Sequence, residues 1–400
     1  MSATTTSLGG TAIPTRSPLV SWLAVTSVTL GIFAIGTSGN LPIGLLTSIG
    51  ATYHISDGTA GLMMTVPGFL AAISAPTLTV ATRTLDRRLM LCVLMIVLAG
   101  ANFLAAVAPY YWLMVISRIL VGFVIGAFWS IGSGLSSRLV PPARVARATS
   151  VIFSAVPLSS VLGVPVGTFI GDQLGWPAAF AAMGVLTIGV LVMLVAFVPA
   201  LPAVEATRLN VLGDMFRNRM VRVGLVATFL LVLAHFGAFT YVRPFLEDVA
   251  GAGPNLITVL LFVYGVAGIV GNFVAGTMAA HNVRRTVIVS ASMIAVATAL
   301  LPVLGKWDVG AIVLLVVWGA AYGGVPVCSQ TWFRKSFPQG TEAASVLFTA
   351  SFQATFSVGA LLGGVVVDAS SSSTVMLCGA VTAVLMTVAV LSLSRPGQPG

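Results

Sequence analysis

The sequence predicts an all-α integral membrane protein, with twelve transmembrane helices arranged as two pseudo-symmetric six-helix bundles. Three observations support this prediction. The 400 residues are 58% hydrophobic and only 7% charged, whereas soluble domains carry about 25% charged residues. Apolar runs of membrane length recur from end to end, and the second half repeats landmarks of the first. No soluble fold could bury so much apolar surface.

Twelve apolar runs are long enough to cross a bilayer, which takes about 20 residues as a helix. Charges, prolines and glycines place them at 19–42, 58–81, 89–108, 112–136, 147–171, 177–198, 221–243, 256–280, 286–304, 309–332, 343–367 and 373–393. Residues 1–18 are predicted to be a disordered cytoplasmic N-terminus. A cleavable signal peptide is not expected, because the first run has full membrane length.

The basic residues predict the orientation. Lys and Arg total 19, and all but Arg118, Arg243 and Lys306 fall in the termini or in loops on one side of the membrane. Cytoplasmic loops carry such an excess of Lys and Arg, so both termini are predicted to be cytoplasmic. The net charge of +9 is spread over short loops rather than one soluble face, so no nucleic-acid partner is expected.

The longest polar link, 199–220, divides the chain in two. It separates an N-terminal six-helix bundle at 19–198 from a C-terminal six-helix bundle at 221–393, and a cytoplasmic tail follows at 394–400. The link is short and mixed in charge, so we predict a connector rather than a domain.

The two halves repeat each other at an offset of about 196 residues. Arg87-Arg88 recurs as Arg284-Arg285, the stretch from Gly126 recurs in outline from Gly323, and Asp172 corresponds to Asp368. These matches indicate a duplicated six-helix unit. Two homologous bundles place a solute path between them, near the midplane of the membrane.

Five short motifs resemble those of a known family. They are Phe128-Trp129-Ser130, Arg138 to Pro142, Ser150 to Phe153, Gly171 to Trp176 and Phe239 to Pro244. Together they resemble the major facilitator superfamily, and within it the twelve-span drug:proton antiporter group, most of all bacterial exporters of purine ribonucleosides. The resemblance implies a monomer in the bacterial cytoplasmic (inner) membrane that exchanges a small-molecule substrate for protons by alternating access.

The chain departs from the family pattern at two places. Arg83 follows the second span where the family usually has Asp, and Asn40 precedes Leu-Pro in the first span where related pumps tend to have an acid. No acid therefore lies deep within a predicted span. Arg118, in the fourth span, and His235, in the seventh, are the candidates for proton coupling. The alternatives are an arginine bonded to backbone carbonyls and a hydrogen-bonded packing histidine.

Candidate substrate contacts are amide and aromatic side chains within the spans. Amides can bond hydroxyls or a base edge, and rings stack on planar bases; the resemblance implies that spans one, four, seven and ten line the cavity. The candidates are Asn40, Trp129, Phe239, Tyr241, Trp318, Tyr322, Gln330 and Gln353. Ordinary packing, or hydrogen bonding between helices, is the alternative for each.

Candidate gating residues lie at span ends and at one proline. They are Arg87, Arg88, Arg284 and Arg285 after spans two and eight, Asp172 and Asp368 at the outer ends of spans five and eleven, and Pro165 within span five. We expect the basic pairs to latch one conformational state. The aspartates form an outer gate or proton entry, or else are solvated helix-end carboxylates. Pro165 lies in a reduced form of the antiporter motif and lets the helix bend.

The sequence contains no catalytic or ATP-binding motif and no paired His/Cys cluster, so an enzyme, an ATP-driven pump, a cofactor and a metal site are not expected. It favours a secondary transporter that exports purine ribonucleosides or analogues by proton antiport. A multidrug or sugar exporter of the same fold is the first alternative. An uncoupled facilitator or a membrane sensor is the alternative from another class.

Overall fold

The computed structural model describes residues 17–81, 85–132, 135–202, 217–336 and 341–393, and every regular element within these ranges is helical. The predicted all-α fold class is confirmed. The predicted N-terminal segment 1–18, link 199–220 and tail 394–400 lie largely or wholly outside the described residues.

Twelve helices correspond in order to the twelve predicted spans. In the first half α1 is Pro18–Asn40, α2 is Leu62–Ala81, α3 is Arg87–Ala106, α4 is Tyr111–Gly132, α5 is Val145–Leu158 with Val164–Leu174, and α6 is Trp176–Phe197. In the second half α7 is Arg219–Phe239, α8 is 254–281, α9 is 283–304, α10 is Asp308–Gly323 with Val325–Ser336, α11 is Thr341–Ala369 and α12 is Ser372–Leu393.

Short helical segments connect several of these helices. After α1, a 3-10 turn at Leu41–Leu45 leads into Leu46–Tyr53, and Asp57–Ala60 precedes α2. Ser136–Leu139 and Pro142–Arg144 lie between α4 and α5, and Val242–Asp248 follows α7.

Helices α8 and α9 are two spans without the expected loop between them. The residues Pro254–Leu304 are helical on both sides of a kink at Asn282, whose backbone has φ −149° and ψ 91°. At 1.5 Å per residue, 51 residues would make about 76 Å of straight helix, more than twice the roughly 30 Å of a hydrocarbon core, so they supply two spans. In the described ranges ten helices are long and apolar enough to cross a membrane, and the bent α5 is an eleventh. Counting Pro254–Leu304 twice gives the predicted twelve.

Helix α5 bends in the middle. Its two parts meet at an angle of 41° across a π-helical turn, Ser159–Gly163. Pro165 follows this turn and has no N–H for the carbonyl of Val161, so the helical hydrogen-bond ladder is broken there. The bend places Ser159 on the cavity described below.

The apolar core is divided between the two halves of the chain. One cluster is built mainly from α1 to α6, around residues such as Leu46, Met95 and Phe180. A second is built mainly from α7 to α12, around residues such as Leu260 and Trp318. Between the halves, α2 packs on α11 and α5 packs on α8.

Within the second half, glycines bring α8 and α10 into backbone contact. A Cβ atom at Gly271 would meet the carbonyl oxygen of Ala320, and one at Gly323 would meet that of Gly268. Such close approach is typical of small residues between membrane helices.

We therefore expect Gly271→Ala to destabilise the protein, because the new methyl group collides with backbone. Overpacking of this kind typically costs about 1–3 kcal/mol. The measurement is thermal unfolding of detergent-solubilised protein. Gly276→Ala, five residues further along α8, is the control. A Cβ atom at Gly276 would have a side-chain carbon of Val327 as its nearest neighbour, at 3.9 Å, so this substitution should leave stability unchanged or slightly raised. Equal effects of the two substitutions would contradict the packing.

Candidate functional site

A cavity of about 230 Å³ lies between the two halves of the protein. From the first half α1, α2, α4 and α5 contribute to its wall, and from the second half α7, α10 and α11. The sequence predicted that α1, α4, α7 and α10 line the cavity. They do so, and α2, α5 and α11 contribute as well. A cavity between homologous bundles is the position expected for a transported solute.

The cavity wall combines aromatic rings with neutral polar groups. Its rings are Phe128, Phe236, Tyr322, Phe348, Phe352 and Phe356, and its polar side chains include Asn40, Ser159, Gln330, Thr349 and Gln353. Among the described residues that line the cavity, none carries a charge. The site is therefore suited to an uncharged molecule with both a planar face and hydrogen-bonding edges.

Four of the eight candidate substrate contacts line this cavity: Asn40, Tyr322, Gln330 and Gln353. Phe239 and Trp318 are buried behind its wall, and the Tyr241 hydroxyl donates to the carbonyl of Ala360. Trp129 lies in α4, but its side chain is outside the described part of the structure.

Sequence reasoning missed the largest aromatic contribution to the wall. Phe348, Phe352 and Phe356 follow one another at intervals of four on α11, so they share one helix face, and all three line the cavity. That interval is visible in the sequence and is the signal by which the stripe could have been found.

Arg118 is fully buried but is not part of the cavity wall. Its Nη1 donates to the carbonyl of Ser38 on α1 at 2.9 Å, and its Nη2 donates to the Ser117 hydroxyl at 2.8 Å. The guanidinium also lies 5.0 Å from the ring centroid of Phe180. The Ser38 carbonyl is free to accept because Pro42, four residues on, has no N–H. The described acceptors of Arg118 are thus one backbone carbonyl and one hydroxyl; its part in proton coupling stays a prediction.

Arg243 joins the two halves at the end of the protein that carries Asp172, Glu247 and Asp368, which we call the acidic end. Its side chain is 3% exposed and bridges Asp172 of α5 at 2.8 Å and Glu247 at 2.8 Å. It also donates to the Thr47 hydroxyl at 3.0 Å and to the carbonyl of Gly44. This arginine is bonded by groups from both halves, so separating the halves here would leave its charge buried and unpaired. The contact therefore stabilises the closed arrangement of the acidic end.

The sequence identified Arg243 only as a basic residue of an outer loop. Its spacing of four from Glu247 is the signal for a helical ion pair. The partners in the other half, Asp172 and Gly44, could not be recognised from the sequence because they depend on how the bundles meet.

Asp368 makes a second junction at the acidic end. Its Oδ2 accepts from the Ser56 hydroxyl at 2.6 Å and its Oδ1 accepts from the backbone N–H of Gly58 at 2.8 Å. A carboxylate of α11 thus accepts a hydrogen bond from a free backbone N–H at the start of the short helix Asp57–Ala60, where the first N–H groups have no partner within the helix. The repeat-related Asp172 and Asp368 therefore each contact the opposite half.

The opposite end of the protein carries the candidate basic pairs Arg87-Arg88 and Arg284-Arg285, and we call it the basic end. There the pairs make contacts within their own halves. Arg88 donates to the carbonyl of Val195 at the end of α6 at 2.6 Å, and Arg284 donates to the carbonyl of Leu391 at the end of α12 at 3.4 Å. In each half, one arginine of the basic pair thus binds a carbonyl near the end of the last helix. The backbone N–H of Arg87 donates to the Leu201 carbonyl, and that of Arg285 donates to the side chain of Asn282. The remaining gating candidate, Pro165, is buried in α5.

Two helical bundles around a shared cavity define a membrane transporter rather than an enzyme. The family model for sequences of the Major Facilitator Superfamily matches this chain over residues 28–353 and 251–400. The chain belongs to the Major Facilitator Superfamily, and it is a multi-pass membrane protein.

Solved transporter structures share this fold. The nucleoside transporter NupG, crystallised as a mutant, aligns with a TM-score of 0.78 at 14% identity, over 93% of this chain and 100% of that chain. A bacterial homologue of the human lysosomal transporter Spinster, inward-facing and unoccupied, aligns with a TM-score of 0.66 at 15% identity, over 94% and 96%. The human organic anion transporter MFSD10 (TETRAN) aligns with a TM-score of 0.65 at 15% identity, over 94% and 100%. At these identities the likeness concerns the fold alone.

Replacing Arg243 by Gln is expected to loosen the acidic end, because the variant loses the charged contact to Asp172 and the contact to Gly44. Spin labels at the exposed positions Ala51 and Ala369, one in each half, can report this in a variant without the native cysteines. Double electron–electron resonance should give a longer and broader distance distribution than in the parent.

The control is Arg222→Gln, which removes the same charge from an exposed side chain near the start of α7, at the basic end, and should leave the distribution unchanged. An unchanged distribution in Arg243→Gln would show that Arg243 does not hold the acidic end closed. The double variant R243Q/D172N should be more thermostable than R243Q, because breaking a buried ion pair from one side costs about 3–5 kcal/mol.

Proposed function

We propose that this chain is a secondary transporter that exports a small uncharged organic solute by proton antiport, and that purine ribonucleosides or their analogues fit it best. The observation that carries the proposal is the uncharged cavity between the bundles, with six aromatic rings and three primary amides in its wall. A charged solute would lose its hydration there without gaining an ionic partner, which is unfavourable.

The amides and rings suit the two parts of a nucleoside. Asn40, Gln330 and Gln353 can each donate and accept hydrogen bonds, which matches both the edge of a base and the hydroxyls of a ribose. The phenylalanine stripe of α11 offers faces on which a planar base stacks. A nucleoside transporter also shares the fold, although only at 14% identity.

The closed acidic end supports alternating access. With the predicted orientation this end faces outward, so the cavity is closed toward the outside in the conformation described here. For the cavity to open outward, Arg243 must leave Asp172 and Asp368 must leave Ser56 and Gly58. In this proposal Asp172 and Asp368 act as gate residues rather than as solvated helix-end carboxylates.

Proton coupling rests on Arg118 and His235 in this proposal. Both are fully buried in helices, and no aspartate or glutamate is among their described hydrogen-bond partners. Ionisable groups within a membrane span are rare and usually functional. An uncoupled facilitator or a sensor predicts instead that neutralising both residues leaves the pH dependence unchanged.

An amphiphilic aromatic drug is the second candidate cargo. The observation that favours it is the excess of rings over amides in the wall, six against three. A sugar has no extended planar face and would leave the α11 stripe without a stacking partner. Competition experiments separate these cargoes.

The proposal is tested in everted membrane vesicles with an acidic lumen. We expect uptake of radiolabelled inosine or guanosine that depends on the proton gradient and is abolished by a protonophore. Unlabelled nucleosides should compete, whereas ribose and a cationic drug should not. The absence of gradient-dependent uptake for every labelled solute would reject proton-driven export, and competition by the drug alone would select the second candidate.

Gln353→Ala is expected to raise the KM for the nucleoside about tenfold, because one lost hydrogen bond to a desolvated group is worth about 1–2 kcal/mol. Gln173→Ala, at an exposed position at the end of α5, is the matched control and should leave KM unchanged. Equal KM values in the two variants would remove Gln353 from the binding site.

A further inference from the structure

His235 lies in a closed aromatic box behind the cavity wall. The imidazole is 0% exposed. The Tyr322 ring stacks on it with centroids 3.5 Å apart and planes 8° apart, and Phe239 stacks at 5.0 Å and 21°. Trp318 meets it edge-on at 5.7 Å, and Tyr264 lies parallel to it at 6.4 Å.

The Trp318 contact defines the protonation state of His235. The indole Nε1 lies 3.1 Å from His235 Nδ1. An indole nitrogen can only donate a hydrogen bond, so Nδ1 must accept and carries no proton. The imidazole is therefore neutral in this conformation, with its proton on Nε2, which has no hydrogen-bond partner in the described structure.

The surrounding helices offer no charge that would compensate an imidazolium. Apart from His235 itself, no acidic or basic residue lies between Arg222 and Arg243, and such residues are also absent from 254–280, 309–333 and 343–367 and from α12. The titratable side chains whose rings face His235 are Tyr264 and Tyr322. A proton on Nδ1 would also point at the N–H of Trp318.

Tyr322 lies between this box and the cavity. It lines the cavity, while its ring covers one face of the His235 imidazole. Phe236 also lines the cavity, but it meets the imidazole edge-on at 4.6 Å and 79°. Tyr322 is therefore the ring that separates the covered face from the solute site and from the water that enters it.

We propose that Trp318 is a positioning residue that keeps His235 free of a proton in this conformation, and that Tyr322 is the shutter between His235 and the cavity. This inference rests on the proton antiport proposed above. In the release step the Nδ1–H bond of the imidazolium breaks, the proton passes to cavity water while Tyr322 is turned aside, and Trp318 N–H then bonds the freed Nδ1. For Nδ1 to be protonated again, Trp318 must first move away from it together with α10.

The test is the pH profile of gradient-driven nucleoside uptake by the reconstituted full chain. Trp318→Phe keeps an aromatic ring but removes the donor that stabilises the neutral imidazole. His235 then holds its proton more tightly, and we expect the midpoint of the profile to move to higher pH, by up to about one pH unit for one hydrogen bond. In a His235→Gln background, Trp318→Phe should cause no shift.

Trp332→Phe is the matched control. Trp332 also lies buried on α10, but its Nε1 donates to the backbone carbonyl of Met220 at 2.9 Å, so its loss should leave the midpoint in place. A folded Trp318→Phe protein with the parental midpoint, or a shift that persists without His235, would overturn the inference. If the parent shows no gradient-driven uptake, the proposed function itself fails.

A second measurement needs no folded Trp318 variant. Diethyl pyrocarbonate modifies accessible neutral histidines, and mass spectrometry locates the product. We expect His235 to be protected in the parent and in Tyr322→Phe and modified in Tyr322→Ala, with the exposed His54 and His281 as internal standards. Equal protection in the two variants would show that Tyr322 is not the shutter.

Discussion

A buried guanidinium holds the two halves of this protein together at their acidic end. Arg243 reaches groups of the other half, Asp172, Thr47 and Gly44, as well as its own neighbour Glu247. Partial separation of these groups would leave a charge neither paired nor hydrated, which is the least favourable arrangement. The interaction therefore favours a fully closed or a fully open acidic end over intermediate arrangements.

The duplication determines where the halves touch. The repeat-related aspartates end α5 and α11, and each contacts the segment that follows the first helix of the other half, through Arg243 in one case and through Ser56 and Gly58 in the other. One ancestral position thus supplies both junctions with different chemistry. The basic pairs follow the same rule inside each half, where Arg88 and Arg284 bind the last carbonyls of α6 and α12.

The fold could be predicted from the sequence because hydrocarbon thickness imposes a length on every span. Parts of the site could also be predicted: Asn40, Gln330 and Gln353 were recognised as rare amides in apolar runs, and they line the cavity. Burial behind the wall, as for Trp318, depends on the rotation of each helix, which hydropathy does not specify. The partners of Arg243 depend on contacts about 70 and 200 residues away, which no local pattern encodes.

One proline connects several of these features. Pro42 removes the N–H that would otherwise occupy the carbonyl of Ser38, and Arg118 takes that acceptor. A carbonyl oxygen can accept two hydrogen bonds, and with proline at position 42 the Ser38 oxygen does not share its lone pairs with a helical N–H from that position. Without Arg118 this acceptor would lack that helical partner in a water-free interior, and an unsatisfied buried acceptor costs about 1–3 kcal/mol. The end of α1, which also carries Asn40 into the cavity, is thus shaped by a hydrogen bond that the backbone cannot make.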